Sequence, residues 1–376
     1  MDRIVVVHLM DLVSYPPVLS LVENLLNNNK KVYLISYGTK KAPSKITDNQ
    51  NLKMYEVPTP KGKGVVSKLF RDYFRRLYTK NVVKKLMRKA DILWTTTDIS
   101  VRSLGNLVLK YKHVMQLMEL EESYPYIVGL KYPRFPLKKY AQKAWKTVVP
   151  EINRAYIQKT WWELEKTPIV LPNKPYSIDL SIRDDHIIKA ENKLKNESRK
   201  IVMYLGNLSS DRSLSMFAKA LYELGEGYCL YIVGKIDDSE KNEFESLKKK
   251  YNNIEYLGYF TAPTHLNVLK HAYIGLLPYY PNSKHPFISP LNIQYCAPNK
   301  IFEYCAFGVP MIGTDVMGLK GPFERYNIGE CCDFGDTNSI VKSIKTIEKN
   351  YSEISNNCRL YNKVFDLDEI VRDIIS

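Results

Sequence analysis

The sequence predicts an α/β protein made of two doubly wound, Rossmann-like domains facing a central cleft, and three observations carry that expectation. At 376 residues the chain exceeds what one hydrophobic core usually organises, so two domains of ordinary size are the default. Short β-branched runs alternate with helical apolar spacing through residues 1–172. The alternation restarts at Ile201 after a polar stretch, so the second half is built like the first.

The first strand is the run from Ile4 to Leu9. A turn with Pro16 and Pro17 then leads into a helix with apolar positions Leu19, Val22, Leu25 and Leu26, and a second strand follows from Val32. Strand, helix and strand in that order argue for a parallel sheet with right-handed crossovers. Between Lys61 and Lys89 there are eleven Lys or Arg against one acid, Asp72, interleaved with Val65, Val66, Leu69, Phe70, Tyr73, Phe74, Leu77 and Tyr78. That pattern is a basic amphipathic helix suited to anionic lipid headgroups, although nucleic acid or plain water would satisfy the same charges. GLKYPRFPLKKYAQKAWK, from Gly129, adds a second basic and aromatic patch. Strands from Ile92, His113, Thr147 and Ile169 complete a first domain over 1–172.

PNKPYS and the polar run up to Lys200 read as a linker, 173–200. The second domain, 201–355, takes IVMYLG, the helix SLSMFAKALYEL, YCLYIVG, a charged helix from Asp238 to Tyr251, IEYLGYF and a helix over His265 to His271. YIGLLPYYP, the helix APNKIFEYCAFG and the strand VPMIGTD complete it. Residues 356–376 are expected as a C-terminal helix packing back toward the N-terminal domain. Ligands of such sheets bind at the carboxyl ends of the strands, here in a cleft between the domains.

The totals exclude several classes. With 45% hydrophobic and 25% charged residues the chain is globular, neither disordered nor fibrous. A net charge of +15 points to an acidic partner: a nucleoside diphosphate, anionic lipid or nucleic acid. The six cysteines form no C-x-x-C pair and are absent before Cys229, so neither a zinc site nor a disulfide framework is suggested, and free thiols in a reducing cytoplasm are expected. The apolar run of MDRIVVVHLMD is too short for a signal sequence, and no later stretch is long enough for a membrane span. There is no Gly-x-Gly-x-x-Gly and no P-loop.

In the helix after Pro298, Lys300 and Glu303 stand three apart and share a face. A carboxylate there can accept two ribose hydroxyls, while the lysine and the helix N-terminus hold phosphate; an i, i+3 salt bridge on a solvated face is the plain alternative. PNKIFEYCAFGVPMIGTD resembles the donor-site helix and strand of GT-B glycosyltransferases, particularly glycosyltransferase family 4 of the bacterial polysaccharide-assembly type. YLGNLSSDRSL resembles that family's phosphate loop. YIVGK, YLGYF, YIGLLPYYP, NIGECCDFGDTNSI and FDLDEIVRDII follow in the family's order, while the first half resembles it by architecture only.

The resemblance implies a donor site of Gly206, Asn207, Arg212, Tyr259, Tyr295, Asn299, Lys300 and Glu303, with Glu303 on the ribose. Tyr295 stands where the family commonly has a second glutamate, so that contact to the transferred sugar does not carry over. Asn207 and Arg212 occupy places often held by Arg and Lys, which leaves much of the diphosphate charge to Arg212, helped by Lys300. The family uses no catalytic metal and no cofactor beyond the nucleotide-sugar co-substrate. Asp366-Leu367-Asp368 reads as a helix start rather than a metal motif.

On the acceptor side, HVMQLMELEESYPY runs from an apolar strand straight into Glu119, Glu121 and Glu122. Glu119 and Glu121 are candidate catalytic residues, placed to bind sugar hydroxyls or take a proton, though a solvated acidic turn reads equally well. His8, at the end of the first strand, is a third candidate beside the plainer reading of a core histidine. Glu151 and Arg154 fit a site or a structural ion pair. The function implied is transfer of a sugar, with retention and without metal, from a nucleotide-sugar such as a UDP-sugar to a saccharide acceptor. That acceptor would be lipid-linked, in capsule, exopolysaccharide or O-antigen synthesis, with the enzyme peripheral on the inner face of the cytoplasmic membrane and binding no nucleic acid. The alternatives are a sugar-nucleotide epimerase of the same fold and a basic nucleic-acid-binding protein.

Overall fold

The computed structural model describes residues 2–59, 65–125, 133–209, 212–281 and 289–376. It divides into two units, Met1–Pro172 with Asp366–Ser376, and Asn173–Phe365. The first contains β1 (Arg3–Asp11), β2 (Lys31–Tyr37), β3 (Leu52–Glu56), β4 (Ile92–Thr95), β5 (His113–Gln116), a short antiparallel pair β6 (Tyr124–Pro125) and β7 (Arg134–Phe135), β8 (Lys146–Val149) and β9 (Ile169–Val170). Its main sheet runs β3-β2-β1-β4-β5-β8-β9, all parallel. The second unit contains β10 (Lys200–Leu205), β11 (Tyr228–Val233), β12 (Ile254–Gly258), β13 (Ile274–Leu277), β14 (Met311–Thr314) and β15 (Gly329–Cys332), in the parallel order β12-β11-β10-β13-β14-β15. Both orders reverse direction beside their first strand, the mark of the doubly wound fold.

Helices cover both faces of such a sheet, so its central strands are apolar on both sides rather than alternating. Ile4 to Val7 are accordingly all fully buried, as are Leu276 and Leu277 of β13. Pro16 and Pro17 are not a turn but the first two residues of the helix Pro16–Asn27, where the missing amide hydrogens have no intrahelical partner to lose.

Two boundaries differ from those expected. The stretch 173–200 is no free linker, because Asp185–Lys195 is a helix capped by Asp184, with Ile187, Ala190 and Leu194 buried in the second unit's core. Three apolar residues at i, i+3 and i+7 suffice for a helix that lays one narrow stripe on a core, and the charged residues between them hid it. At the other end, the helix Tyr351–Val364 belongs to the second unit, where Tyr361 stacks on Phe302. Only Asp366–Ser376 joins the first, with Asn24 and Asn28 donating to the Asp368 carboxylate at 2.8 and 2.6 Å. Asp366 caps the helix Leu367–Ile375 by accepting from two backbone amides.

The basic segment forms the helix Val65–Leu86. Phe70, Tyr73, Phe74 and Leu77 lie on its surface at 61, 62, 56 and 43% exposure. Asp72 pairs with Arg76 at 2.7 Å, and Arg75 sits over the Tyr37 ring. Lys61 and Lys63 of the basic run, Gly129 to Tyr132 of the second basic patch, and Ser210 and Asp211 of the phosphate loop fall outside the described residues.

Candidate functional site

In the second unit the geometry starts from two glycines. Gly206 follows β10 with φ +149, a conformation L side chains rarely adopt; a Cβ there would lie 2.7 Å from Lys300 Cε and 3.0 Å from its Nζ. The lysine stem therefore occupies the space a side chain would need. Gly234, after β11, has φ +147, and a Cβ on it would meet the Gly206 carbonyl oxygen at 1.8 Å. Two strand ends thus approach backbone to backbone, and the Gly206 amide donates to the Val233 carbonyl at 2.8 Å.

The helix Asn299–Ala306 brings up the charges, and Tyr304 fixes its place. The Tyr304 hydroxyl donates to the Met203 carbonyl at 2.9 Å and accepts from the Leu205 amide at 3.2 Å, inside a wholly buried site. The helix is thereby tied to the last turn of backbone before Gly206. Glu303, only 4% exposed, has Oε1 3.4 Å from His265 Nε2. Burial alone would raise the Glu303 carboxyl, but His265 and Lys300 outweigh it and hold its pKa below the ordinary carboxylate value. A buried glutamate is thus kept ionised beside two nitrogen groups.

Arg212 places its guanidinium 5.2 Å from the Tyr279 ring, just past β13, and the Tyr279 amide donates to Thr314 Oγ1 at 2.6 Å. Tyr259 follows β12, exposed, with Lys235 Nζ 4.4 Å from its ring centre. The Tyr204 hydroxyl donates to the Asn207 carbonyl at 2.6 Å. These groups all stand at the carboxyl ends of adjacent parallel strands.

The first unit gathers a second set at the carboxyl ends of β1, β4 and β5. His8 is fully enclosed, with Nδ1 2.8 Å from Thr96 Oγ1 and its ring edge-on to Tyr15 at 4.7 Å. Burial drops its pKa to about 3, so the imidazole is neutral at any physiological pH. Asp98 opens the helix Asp98–Leu104 and is 9% exposed. Burial raises its carboxyl to about 7, Arg102 on the next turn opposes the rise, and Glu119 adds to it. The Arg102 guanidinium lies over the Tyr124 ring at 5.0 Å. Glu119 is exposed and Glu121 half-buried. Their loop is held from the helix Ile152–Trp162: Arg154 Nη1 donates to the Met118 carbonyl at 2.6 Å and Trp162 Nε1 to the Glu122 carbonyl at 3.1 Å. Glu151 accepts from the Arg154 amide as the cap of that helix, so this pair has a structural use.

Residues 199–350 match the model of the family described as Glycosyl transferases group 1. The part of the chain similar to that family thus lies within the second unit. Among solved structures, the sucrose-phosphate synthase of Thermosynechococcus elongatus has TM-score 0.69 and 16% identity over 100% of this chain and 97% of its own. HepE of Anabaena, in complex with UDP and glucose, has TM-score 0.67 and 12% identity over 100% and 98%. A Listeria monocytogenes protein assigned as a UDP-N-acetylglucosamine 2-epimerase has TM-score 0.60 and 10% identity over 99% and 94%. At these identities the likeness shows the fold, GT-B, and the presence of the epimerase means that fold alone does not separate transfer from epimerisation. No curated protein matches the sequence.

Within the second unit the structure brings Gly206, Lys300 and Glu303 directly together. Asn207, Arg212, Tyr259 and Asn299 stand on the same strand-end edge, and Tyr295 is half-buried at the end of the helix Pro290–Gln294. In the first unit His8 is a core histidine hydrogen-bonded to Thr96, as in the plainer of its two readings. Two residues escaped sequence reasoning. His265 carries no motif, and only the fold brings it across 38 positions to Glu303. Asp98 reads as an ordinary acidic residue in a helix's first turn, and only its burial distinguishes it.

Proposed function

We propose that the protein transfers a sugar from a UDP-sugar to a lipid-linked saccharide in bacterial surface-polysaccharide assembly, with retention and without metal, on the inner face of the cytoplasmic membrane. The observation that carries the donor half is the ionised, buried Glu303 beside Lys300, with Lys300 packed into the space left by Gly206. A carboxylate held charged in that position suits a ribose diol, and an ammonium against a backbone turn suits a diphosphate. The HepE complex with UDP and glucose supports a UDP-sugar as donor.

In the reaction the C1–O bond to the β-phosphate breaks as the acceptor oxygen bonds to C1 on the same face, and the hydroxyl proton passes to the departing phosphate oxygen. Arg212, Lys300 and the first-turn amides of the helix Asn299–Ala306 meet the charge that develops on the leaving group. For the membrane half, the exposed Phe70, Tyr73, Phe74 and Leu77 among Arg71, Arg75, Arg76 and Lys80 make a surface that suits anionic lipid. Among the described residues no helix is long and apolar enough to cross a membrane.

A screen of nucleotide-sugars by thermal shift identifies the donor, because binding stabilises the fold by mass action. Transfer to an acceptor glycolipid is then followed with and without EDTA, and the anomeric product is read by NMR. Stabilisation by UDP-sugars and EDTA-resistant transfer are expected; loss of turnover on chelation, restored by magnesium, would remove the metal-free mechanism. One observation favours epimerisation as a second reading: the carboxyls of Asp98 and Glu119 lie near one another in contrasting environments, as acid–base exchange at a sugar carbon requires. Conversion of a UDP-sugar to its epimer with no acceptor present would decide for it.

A further inference from the structure

The first unit holds a carboxyl that its own packing uses only in part: the Asp98 and Ile99 amides favour its charge, while one of its oxygens is left over. An aspartate in a helix's first turn ordinarily faces water, where the dipole favours its charge and no desolvation opposes it. Asp98 is instead more than nine-tenths buried, and its Oδ2 has no hydrogen-bond partner. Nearby, the buried Nε2 of His8 also lacks one. Both belong to one cluster: the His8 ring meets Tyr15 edge-on at 4.7 Å, and burial pushes the Tyr15 phenol up with Glu119 and Asp98 close enough to add to it. Buried polar groups are almost always paired, so two unpaired ones around one tyrosine, at the ends of adjacent strands, call for a ligand. The strand ends of this fold are where such a ligand belongs.

We propose that Asp98 binds the saccharide acceptor, one of whose hydroxyl groups takes the hydrogen-bonding position that the fold leaves open at the Asp98 carboxyl. This rests on the transferase reading above and adds a residue that determines acceptor affinity. A sugar hydroxyl donates to a carboxylate more strongly than to a neutral acid. The charged and titratable groups facing Asp98 are Arg102 on its own helix, Glu119 after β5, and the phenols of Tyr15 and Tyr124. Arg102 stays charged at neutral pH, and both phenols stay neutral because their pKa values are raised. Acceptor binding should therefore strengthen as the pH rises past about 7, where Asp98 ionises.

The test compares wild type with Asp98→Asn from pH 6 to 8. Wild-type KM for an acceptor oligosaccharide should fall roughly tenfold across that range, following the ionised fraction of a group that titrates near the middle. In Asp98→Asn the KM should be high and flat, with nucleotide affinity unchanged. Because a different base reaction could replace transfer, contacts to methyl glucoside, methyl galactoside and methyl mannoside are read in parallel by saturation-transfer NMR, which needs no turnover. Contacts in wild type that vanish in Asp98→Asn support the inference. Equal KM and equal pH profiles in the two proteins overturn it, as do contacts that are the same, or absent, in both. A wild type that transfers no sugar counts against the transferase reading, while the methyl glycosides still decide Asp98.

Discussion

Replacing Asp98 by Asn should stabilise the first unit at alkaline pH and lose that advantage in mild acid. The carboxyl moves from an ordinary value of 3.8 to about 7 on folding, because burial penalises its charged form. A carboxyl whose folded pKa lies above its unfolded one holds its proton more tightly in the fold. Folding is therefore favoured at low pH and weakens as the pH climbs from the unfolded value to the folded one. At about 1.4 kcal/mol per unit, the full penalty above neutral pH is on the order of 4 kcal/mol, and the part that develops between pH 5 and pH 8 is roughly 2.5 kcal/mol. The isosteric amide carries no such term. His8 and His113, both lowered to about 3 by burial, act in the opposite sense and lose stability as the pH falls below the unfolded histidine range. They do so equally in both proteins and cancel in the difference. Urea unfolding followed by tryptophan fluorescence suits the measurement, since Trp94, Trp145, Trp161 and Trp162 all lie in the first unit. A variant-minus-wild-type difference that is the same at pH 5 and pH 8, within about 0.5 kcal/mol, would refute the burial argument.

Three further outcomes are expected. Glu303→Gln keeps the shape but weakens acceptance of ribose hydroxyls, and should reduce nucleotide affinity by on the order of 1 to 3 kcal/mol in calorimetry; an unchanged affinity removes the clamp. Gly206→Ala puts a Cβ where Lys300 lies and strains a backbone at φ +149, so nucleotide binding should weaken by roughly five- to a hundredfold, an order-of-magnitude expectation from a strain of about 1 to 3 kcal/mol, while an intact affinity would show that the loop yields. Changing Arg71, Arg75, Arg76 and Lys80 together to Gln should lower binding to anionic vesicles, at about 1 kcal/mol per charge, and slow turnover of a glycolipid acceptor. Nucleotide affinity should stay as in wild type, and unaltered vesicle binding would make this helix a solvated face.

Legibility in the sequence followed how local the physics was. A fully buried parallel strand needs an unbroken apolar run, so Ile4 to Leu9 and IVMYLG announced themselves, and with them the doubly wound order. Pro298 ahead of Lys300 and Glu303 marked a helix start with its charges on one face, which is local geometry. The helix Asp185–Lys195 was missed because four apolar residues among seven polar ones look like a linker until a core receives three of them. His265 and Asp98 were missed for a deeper reason. What matters about each is its surroundings: Glu303 brought alongside one, and burial on three strand ends around the other. Neither is a property of nearby sequence. Arg154 was half legible, since its type and position stood out while its partner, the Met118 carbonyl, is a backbone atom that no residue identity announces.

The division of the chain also bears on its synthesis. The first unit borrows its last helix, Leu367–Ile375, from beyond the whole of the second unit. On the ribosome, where domains generally fold as they emerge, the first sheet must form with the flank of the Pro16–Asn27 helix uncovered and with Asn24 and Asn28 still lacking the Asp368 carboxylate. The nascent N-terminal unit is thus a near-native intermediate for as long as the second unit takes to translate, and a ribosome stalled within the second unit would present that uncovered flank to chaperones.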